Sequence, residues 1–189
     1  MEHWEDWQKL YRHGTLVIWP PDEIMNIINT QREFNDPLSA SICEAHITVT
    51  QPLLNLLSDA EWDQVQDIVK YFPAFEIRYG PLKSFLPYPC IWYDVQPMDQ
   101  VRDMRDALHQ TGFFNLSLKH TDDFIPHMTI TEGLSGPNVD ENLFDILQKQ
   151  SSPGSFVCQD VAYIVPDESF CFIVKSRISL ASSKSLHQI

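Results

Sequence analysis

Two short stretches of this 189-residue chain repeat one another: Ala45-His46-Ile47-Thr48-Val49-Thr50 and Pro126-His127-Met128-Thr129-Ile130-Thr131. Each reads His-x-Thr-x-Thr, with apolar residues in the gaps. Successive side chains of a β-strand point to opposite faces. His46, Thr48 and Thr50 therefore share one face, with Ile47 and Val49 on the other. His127, Thr129 and Thr131 separate in the same way from Met128 and Ile130. Each strand face carries an imidazole and a hydroxyl roughly 7 Å apart. Two such faces in one small domain make a symmetric pair of proton-transfer groups with hydroxyl donors between them.

The rest of the chain repeats around these stretches. Thr15-Leu16-Val17-Ile18-Trp19 reads as a buried strand, ended by Pro20-Pro21, with Asp22 and Glu23 in the first turn of a helix carrying Ile24, Ile27, Ile28 and Phe34. Asn35-Asp36-Pro37 closes it. The first His-Thr strand runs from about residue 44 to 52. Ser58 and Glu61 form a capping box ahead of Trp62, Val65, Ile68, Val69 and Phe72 at helical spacing. A strand over 75–79, punctuated by Gly80-Pro81, resumes over 82–85.

A second round follows: a strand at 90–95, a helix with Met98, Val101, Met104 and Leu108 stopped near Gly112, the second His-Thr strand, and a helix capped by Asn138 with Glu141. Two final strands, about 155–165 and 170–180, are joined by Pro166-Asp167-Glu168. The motif histidines are 81 residues apart (127 − 46), close to the 75 (90 − 15) that separate the starts of the halves. This pattern predicts an α+β fold. Its two pseudo-symmetric lobes of antiparallel sheet, from halves of about 15–85 and 90–180, carry outer helices and enclose a central cleft. Residues 1–14, with Trp4, Trp7, Leu10 and Tyr11 on one helical face, read as a helical extension packed on the body, and 181–189 as a C-terminal tail.

Composition narrows the function. The apolar fraction of 43% and aromatic fraction of 12% suit a packed core. A formal charge of −13 argues against long duplex nucleic acid, which is bound by neutralising many phosphates, but leaves room for a small nucleotide or an RNA end. No run approaches the ~20 apolar residues of a membrane span. The start, Met1-Glu2-His3-Trp4-Glu5-Asp6, lacks the pattern of a signal peptide. Cys43, Cys90, Cys158 and Cys171 have no CxxC spacing and read as reduced thiols of a cytoplasmic protein, although Cys158 and Cys171 could face each other across a C-terminal hairpin.

A lone His-x-Thr means little, but composition makes two identical patterns a coincidence on the order of one in ten thousand. Histidine titrates near ~6.5 and suits general acid–base work. One imidazole takes a proton from a nucleophile while the other gives one to a leaving oxygen. Threonine hydroxyls donate to non-bridging phosphate oxygens as charge builds. The scheme calls for no metal and no cofactor.

The pair His46-Ile47-Thr48 and His127-Met128-Thr129 resembles the two signatures of the two-histidine (2H) phosphoesterase superfamily, which includes the 2′-5′ RNA ligase-like enzymes. The likeness extends over about residues 15–180, with Gly80-Pro81-Leu82 to Phe85 and Phe124-Ile125-Pro126 as further points of contact. It implies a bilobal fold with both motifs facing one cleft. It also implies metal-independent chemistry at a phosphodiester: a 2′,3′-cyclic phosphate, a 2′-5′ linkage, an RNA 3′ end or a cyclic oligonucleotide. Catalytic roles carry over to His46 and His127, and phosphate binding to Thr48 and Thr129. For hydrolysis of a cyclic phosphate the expected order has His127 activating water and His46 protonating the leaving group.

Several residues stand beside this core assignment. Tyr88, on a loop near a central strand, and Phe170 are candidates for stacking a base, a role open to Tyr163 as well. Lys83 and Lys119 are scarce cations that either approach a phosphate or sit solvated. His120, Asp122, Asp123 and His127 form a metal-like string without an established zinc spacing. A monomeric phosphodiesterase is the leading expectation. The alternatives are a catalytically silent nucleotide-binding module of the same fold, a 2′-5′ ligase or cyclase, and a scaffold that binds a partner through Trp4 and Trp7.

Overall fold

The computed structural model describes residues 3–119 and 121–182. A four-residue helix α1 (Asp6–Lys9) precedes β1 (Thr15–Ile18), α2 (Asp22–Asn35), α3 (Pro37–Ile42), β2 (Ile47–Thr48), α4 (Asp59–Tyr71) and β3 (Phe75–Ser84). Next come β4 (Ile91–Gln96), α5 (Met98–His109), β5 (His127–Thr131), α6 (Glu141–Gln150), β6 (Gly154–Cys158), β7 (Asp160–Pro166) and β8 (Phe172–Ser179). The local signals act as the sequence predicts at several points. The Ser58 amide donates to the Glu61 carboxylate at 2.7 Å at the start of α4. Helix α2 buries Met25, Ile28 and Arg32 at helical spacing.

The strands form two antiparallel four-stranded sheets, ordered β2-β1-β7-β8 and β5-β4-β3-β6. Each His-Thr strand is an edge strand, next to the opening strand of its own half. The orders match position by position, so the pseudo-symmetry is real. The lobes, however, are not the contiguous halves expected from the sequence. β3 from the first half crosses to join β4 and β6, and β7 and β8 from the end of the chain return to β1. One core cluster runs through both sheets, from Leu16, Ile18 and Ile47 to Ile77, Ile91 and Met128. The exchange of strands is what makes the two lobes one unit. Val17, on the opposite face of β1, packs with Cys43, Ala162 and Ile164, which is why β1 is buried throughout.

Other boundaries differ for local reasons. The first His-Thr strand shrinks from about 44–52 to Ile47–Thr48. The amides of Val49 and Thr50 both turn onto the Leu16 carbonyl, and the Thr50 hydroxyl accepts from the Leu16 amide at 3.1 Å. The segment expected as one strand over 155–165 is β6 and β7, broken at Gln159, and the two strands lie in different sheets. Residues 75–84 form a single strand with a bulge between Tyr79 and Leu82, and Phe85 lies just beyond it. Asp140, not Asn138, caps α6 by accepting from the Leu143 amide at 2.9 Å. All four cysteines are unpaired; Cys158 ends β6 while Cys171 lies at the β7–β8 turn of the other sheet.

The N-terminal segment is helical over only four residues, yet it is docked on the body. Trp4 is 5% exposed, donates its indole N–H to the Glu168 carbonyl at 2.9 Å and packs edge-to-face on Phe170. Of the expected tail, residues 183–189 lie outside the described residues, and Ala181 bridges to Pro73.

Asn35-Asp36-Pro37 ends α2 but also starts α3, because Asp36 is its N-cap. The Asp36 side chain does more than cap. It is 0% exposed, and its two oxygens accept from the amides of Glu132, Leu134 and Ser135 at 2.9, 3.2 and 2.9 Å and from the Thr131 hydroxyl at 3.2 Å. Burial raises its pKa, but the donors outweigh that effect and hold the carboxyl below its ordinary value. The turn after β5 is thereby wound around one anion. Gly136, at φ +90°, passes so close to the Asn35 carbonyl that a Cβ has no room.

Asp36→Ala strands these donors and is expected to lower stability by about 3 kcal/mol. For a chain of this size that is a fall in Tm of about 6–12 °C by thermal denaturation. An unchanged Tm would show that the loop is held by something else.

Candidate active site

Two edge strands from different sheets meet at the centre of the molecule, where β2 and β5 are in contact. The alternation read from the sequence is present. Ile47, Met128 and Ile130 are fully buried, while His46, Thr48, His127 and Thr129 are half-buried and line one cavity of about 220 Å³ together with Arg32 and Glu132. The outer threonines do structural work: Thr50 bonds to Thr15 and Leu16, and Thr131 to Asp36.

The two imidazoles are oriented by the same device. His46 Nδ1 lies 2.7 Å from the Glu44 carbonyl, and His127 Nδ1 lies 2.6 Å from the Ile125 carbonyl. In both cases the acceptor is two residues upstream. A carbonyl only accepts, so each Nδ1 carries the proton, and in the neutral ring Nε2 is an unprotonated base. Among the described residues neither Nε2 has a hydrogen-bond partner. His46 lies near-parallel to Trp19 with centroids 6.5 Å apart; His127 is flanked by Trp92 at 5.3 Å and Phe85 at 5.8 Å.

Below the motifs lies Arg32, 3% exposed. Its guanidinium donates to the Thr129 carbonyl at 2.7 Å, the Cys43 carbonyl at 2.9 Å and the Ser39 carbonyl at 3.1 Å. It therefore bonds β5 to the segment that leads into His46. Burial lowers its pKa, and the neighbouring Glu132, Cys43 and Asp36 act against that.

Both histidines are biased toward the neutral form. Burial is the main cause for His46, the Glu44 carbonyl opposes it, and the charges of Arg32 and His127 add to it; the result is a pKa of about 4. Burial lowers His127 as well, with the Ile125 carbonyl opposing. Glu132 borders the same cavity. Its amide is fixed on Asp36, and its carboxylate has no hydrogen-bond or ion-pair partner among the described residues. It is open to solvent along the cleft yet walled by protein, so burial raises its pKa, opposed by Arg32 and reinforced by Asp36.

A second cavity of about 440 Å³ adjoins the first and shares His127 and Glu132 with it. Phe85, Tyr88, Phe124 and Ile125 supply apolar walls. Tyr88, 63% exposed, stands at its edge, where a base could meet its ring. Phe170 borders the central cleft but is 3% exposed and packed by Trp4, Trp7 and Phe172; the fold uses this ring to anchor the N-terminal segment. Tyr163 is buried, its hydroxyl on the His13 carbonyl.

Lys83 is engaged by Asp94 at 2.8 Å and lies over Trp92, and Lys119 is exposed on a loop. Of the metal-like string, His120 lies outside the described residues, and Asp122 and Asp123 are exposed. Arg32, Asp36 and Glu132 were not singled out from the sequence. Nor was the contribution of Trp7 and Tyr11 to the cleft wall.

A bilobal α+β domain whose edge strands present paired His-x-Thr faces to one cavity has the layout of a two-histidine phosphoesterase. The chain belongs to the 2′-5′ RNA ligase superfamily, whose model matches residues 20–169. Among curated proteins it is similar to OB1230 of Oceanobacillus iheyensis, named by inference a phosphoesterase, at 27% identity over 123 residues, 63% of this chain and 69% of that one. A protein of Bacillus thuringiensis named in the same way is 27% identical over 128 residues, 64% and 69% of the two chains.

Among solved structures, E. coli LigT complexed with 3′-AMP superposes with a TM-score of 0.57 at 17% identity, over 89% of this chain and 98% of LigT. TT0787 of Thermus thermophilus gives 0.59 at 12% identity, again over 89% and 98%. At these identities the structural likeness is one of fold.

The neutral histidines make stability depend on pH. His46 and His109 both have pKa values of about 4 in the folded protein, and His109 Nε2 accepts the Gln51 amide. Between about pH 6.5 and 4 the unfolded chain binds protons that the folded chain does not, so stability falls as pH falls through that window. Urea unfolding at a series of pH values is expected to show the midpoint dropping on acidification, with a shallower drop in His109→Gln.

Proposed function

We propose that this protein is a metal-independent phosphodiesterase that acts on a small nucleotide or an RNA terminus bearing a 2′,3′-cyclic phosphate, a 2′-5′ linkage or a related diester. The observation that carries this reading is the mirrored pair of Nδ1–carbonyl bonds, which leaves two unprotonated Nε2 atoms and two threonine faces on a single cavity. The complexes of LigT with 3′-AMP and with NADP+ favour a nucleotide as the ligand class. The formal charge of −13 favours a short ligand over a polymer.

In this mechanism the phosphate sits between the two strands. Thr48 and Thr129 donate to its non-bridging oxygens, and Arg32 contributes a fixed positive field from beneath. Water attacks phosphorus as one imidazole takes its proton. The bond to a ribose oxygen breaks, and the other imidazole, protonated beforehand, gives that oxygen a proton. The product is a phosphomonoester.

For the order of the two histidines we propose the reverse of the one expected from the sequence. His46 feels both burial and the Arg32 charge, so it is held neutral and suits the base. His127, lowered by burial with the Ile125 carbonyl opposing, takes up a proton as the anionic phosphate binds and serves as the acid.

A panel of 2′,3′-cyclic nucleotides, 2′-5′ and 3′-5′ oligoadenylates and cyclic dinucleotides, assayed with chelator present, tests the reading. His46→Ala and His127→Ala are expected to lower kcat/KM by about 10²–10⁴, and Thr48→Val or Thr129→Val by about 10². Cleavage that survives both histidine substitutions would sink the proposal; binding without turnover would make the chain a nucleotide-binding module. The order of the two histidines is tested with a nitrophenyl diester, whose leaving oxygen needs no acid. His127→Ala should recover most of its rate on that substrate, and His46→Ala should not.

A further inference from the structure

Among the described residues, the carboxylate of Glu132 is the one charged group of the cleft that the mechanism leaves idle. It stands where the central cleft and the side cavity meet and borders both. Its backbone is held rigidly, since its amide and those of Leu134 and Ser135 all donate to Asp36. Yet the side chain itself bonds to nothing among the described residues. Asp123, the other carboxylate bordering the side cavity, has a partner of its own.

The side cavity also has a definite character. Its volume of about 440 Å³ is within the range of small-molecule sites, and it is lined by the rings of Phe85, Phe124 and Tyr88, with Phe85 stacked on Trp92 and Phe124 under the Arg105 guanidinium, so that Tyr88 is the ring most open to a ligand. Because His127 belongs to both cavities, a ligand whose phosphate ester lies between the motifs has its adjoining group directed there.

A carboxylate is an acceptor only, with two oxygens side by side. Guanine matches it with two adjacent donors, N1–H and the N2 amino group. Adenine and cytosine each set one amino donor beside a ring nitrogen that is itself an acceptor, and uracil offers a single N–H between two carbonyls. We propose that Glu132 selects guanine: the ring lies in the side cavity against Phe85, Tyr88 and Phe124, and its N1–H and N2–H donate to the Glu132 carboxylate. The selection is negative as well as positive, because a misplaced acceptor leaves two like-charged surfaces facing each other. This inference rests on the phosphodiesterase reading for its substrate but not for its recognition chemistry.

The test compares kcat/KM for guanosine, inosine and adenosine 2′,3′-cyclic phosphates in wild type, Glu132→Gln and Glu132→Ala. Inosine keeps N1–H and lacks the N2 amino group. Wild type is expected to prefer guanosine over adenosine by about 10² or more, with inosine between them. Glu132→Gln should cut the ratio at least tenfold and Glu132→Ala should bring it close to one. Equal rates in wild type, or a ratio untouched by Glu132→Ala, would overturn the proposal while leaving the enzyme reading intact. If no cyclic phosphate is cleaved, calorimetry with 3′-GMP and 3′-AMP applies the same criterion to binding: GMP must bind more tightly in wild type and lose that advantage in Glu132→Ala. Equal affinities, or tighter AMP, would overturn it.

Discussion

Arg32 is the point on which both halves of the cleft depend. A guanidinium that is 3% exposed needs acceptors inside the protein, and its two terminal nitrogens find them mainly in the backbone carbonyls of Thr129, Cys43 and Ser39, while Nε has no partner among the described residues. Thr129 belongs to the second motif. Cys43 lies three residues before His46. A single side chain from α2 therefore sets the spacing of two strands that pair with different sheets. Because carbonyls carry no net charge, the guanidinium keeps its own. Its field reaches the cavity, where it adds to the burial that keeps His46 neutral.

The exchange of strands between halves complements this clamp. Had each half folded onto itself, two lobes would meet only through their surfaces and the cleft width would vary with any hinge motion. With β3 in the second sheet and β7 in the first, core residues such as Ile77 and Val161 belong to a cluster that runs through both sheets. Moving one lobe against the other would open that core to water, at roughly 25 cal/mol for each Å² of apolar surface. The His-Thr strands stay at the edges of the two sheets, so the pairing of β1 with β2 and of β4 with β5 leaves their outer sides facing one another.

The motif strands were legible in the sequence because alternation is a local property: a His-x-Thr-x-Thr run states its own face. The capping box at Ser58 and Glu61 was legible for the same reason. What escaped depends on partners far along the chain. Arg32 looks like one more solvated charge on an amphipathic helix, and only the arrival of Thr129, 97 residues later, makes it buried. Asp36 reads as a helix stop; its role as the hub of residues 131–135 comes from a turn at the far end of the molecule. The break at Gln159 could not be read either, since the change of sheet is set by which edges are free, not by any residue there. Glu132 follows the second motif directly, but a glutamate after a strand signals nothing until two cavities are seen to meet beside it.

The electrostatic arrangement explains how a strongly acidic protein can hold an anion. The net charge is spread over exposed carboxylates, whose fields are screened within about 10 Å at moderate salt. The cleft instead sees Arg32 at short range, with the hydroxyls of Thr48 and Thr129 and two imidazoles biased by burial toward the neutral form. Glu132 limits this attraction to one side. On the proposed function, a phosphate between the motifs meets the positive floor, whereas a group extended past His127 meets the Glu132 carboxylate and must bring hydrogen-bond donors to it. In the proposed function, the same turn that Asp36 winds after β5 separates an anion-binding part of the cleft from a donor-reading part. It does so with backbone amides, which fix the position of Glu132 without neutralising it.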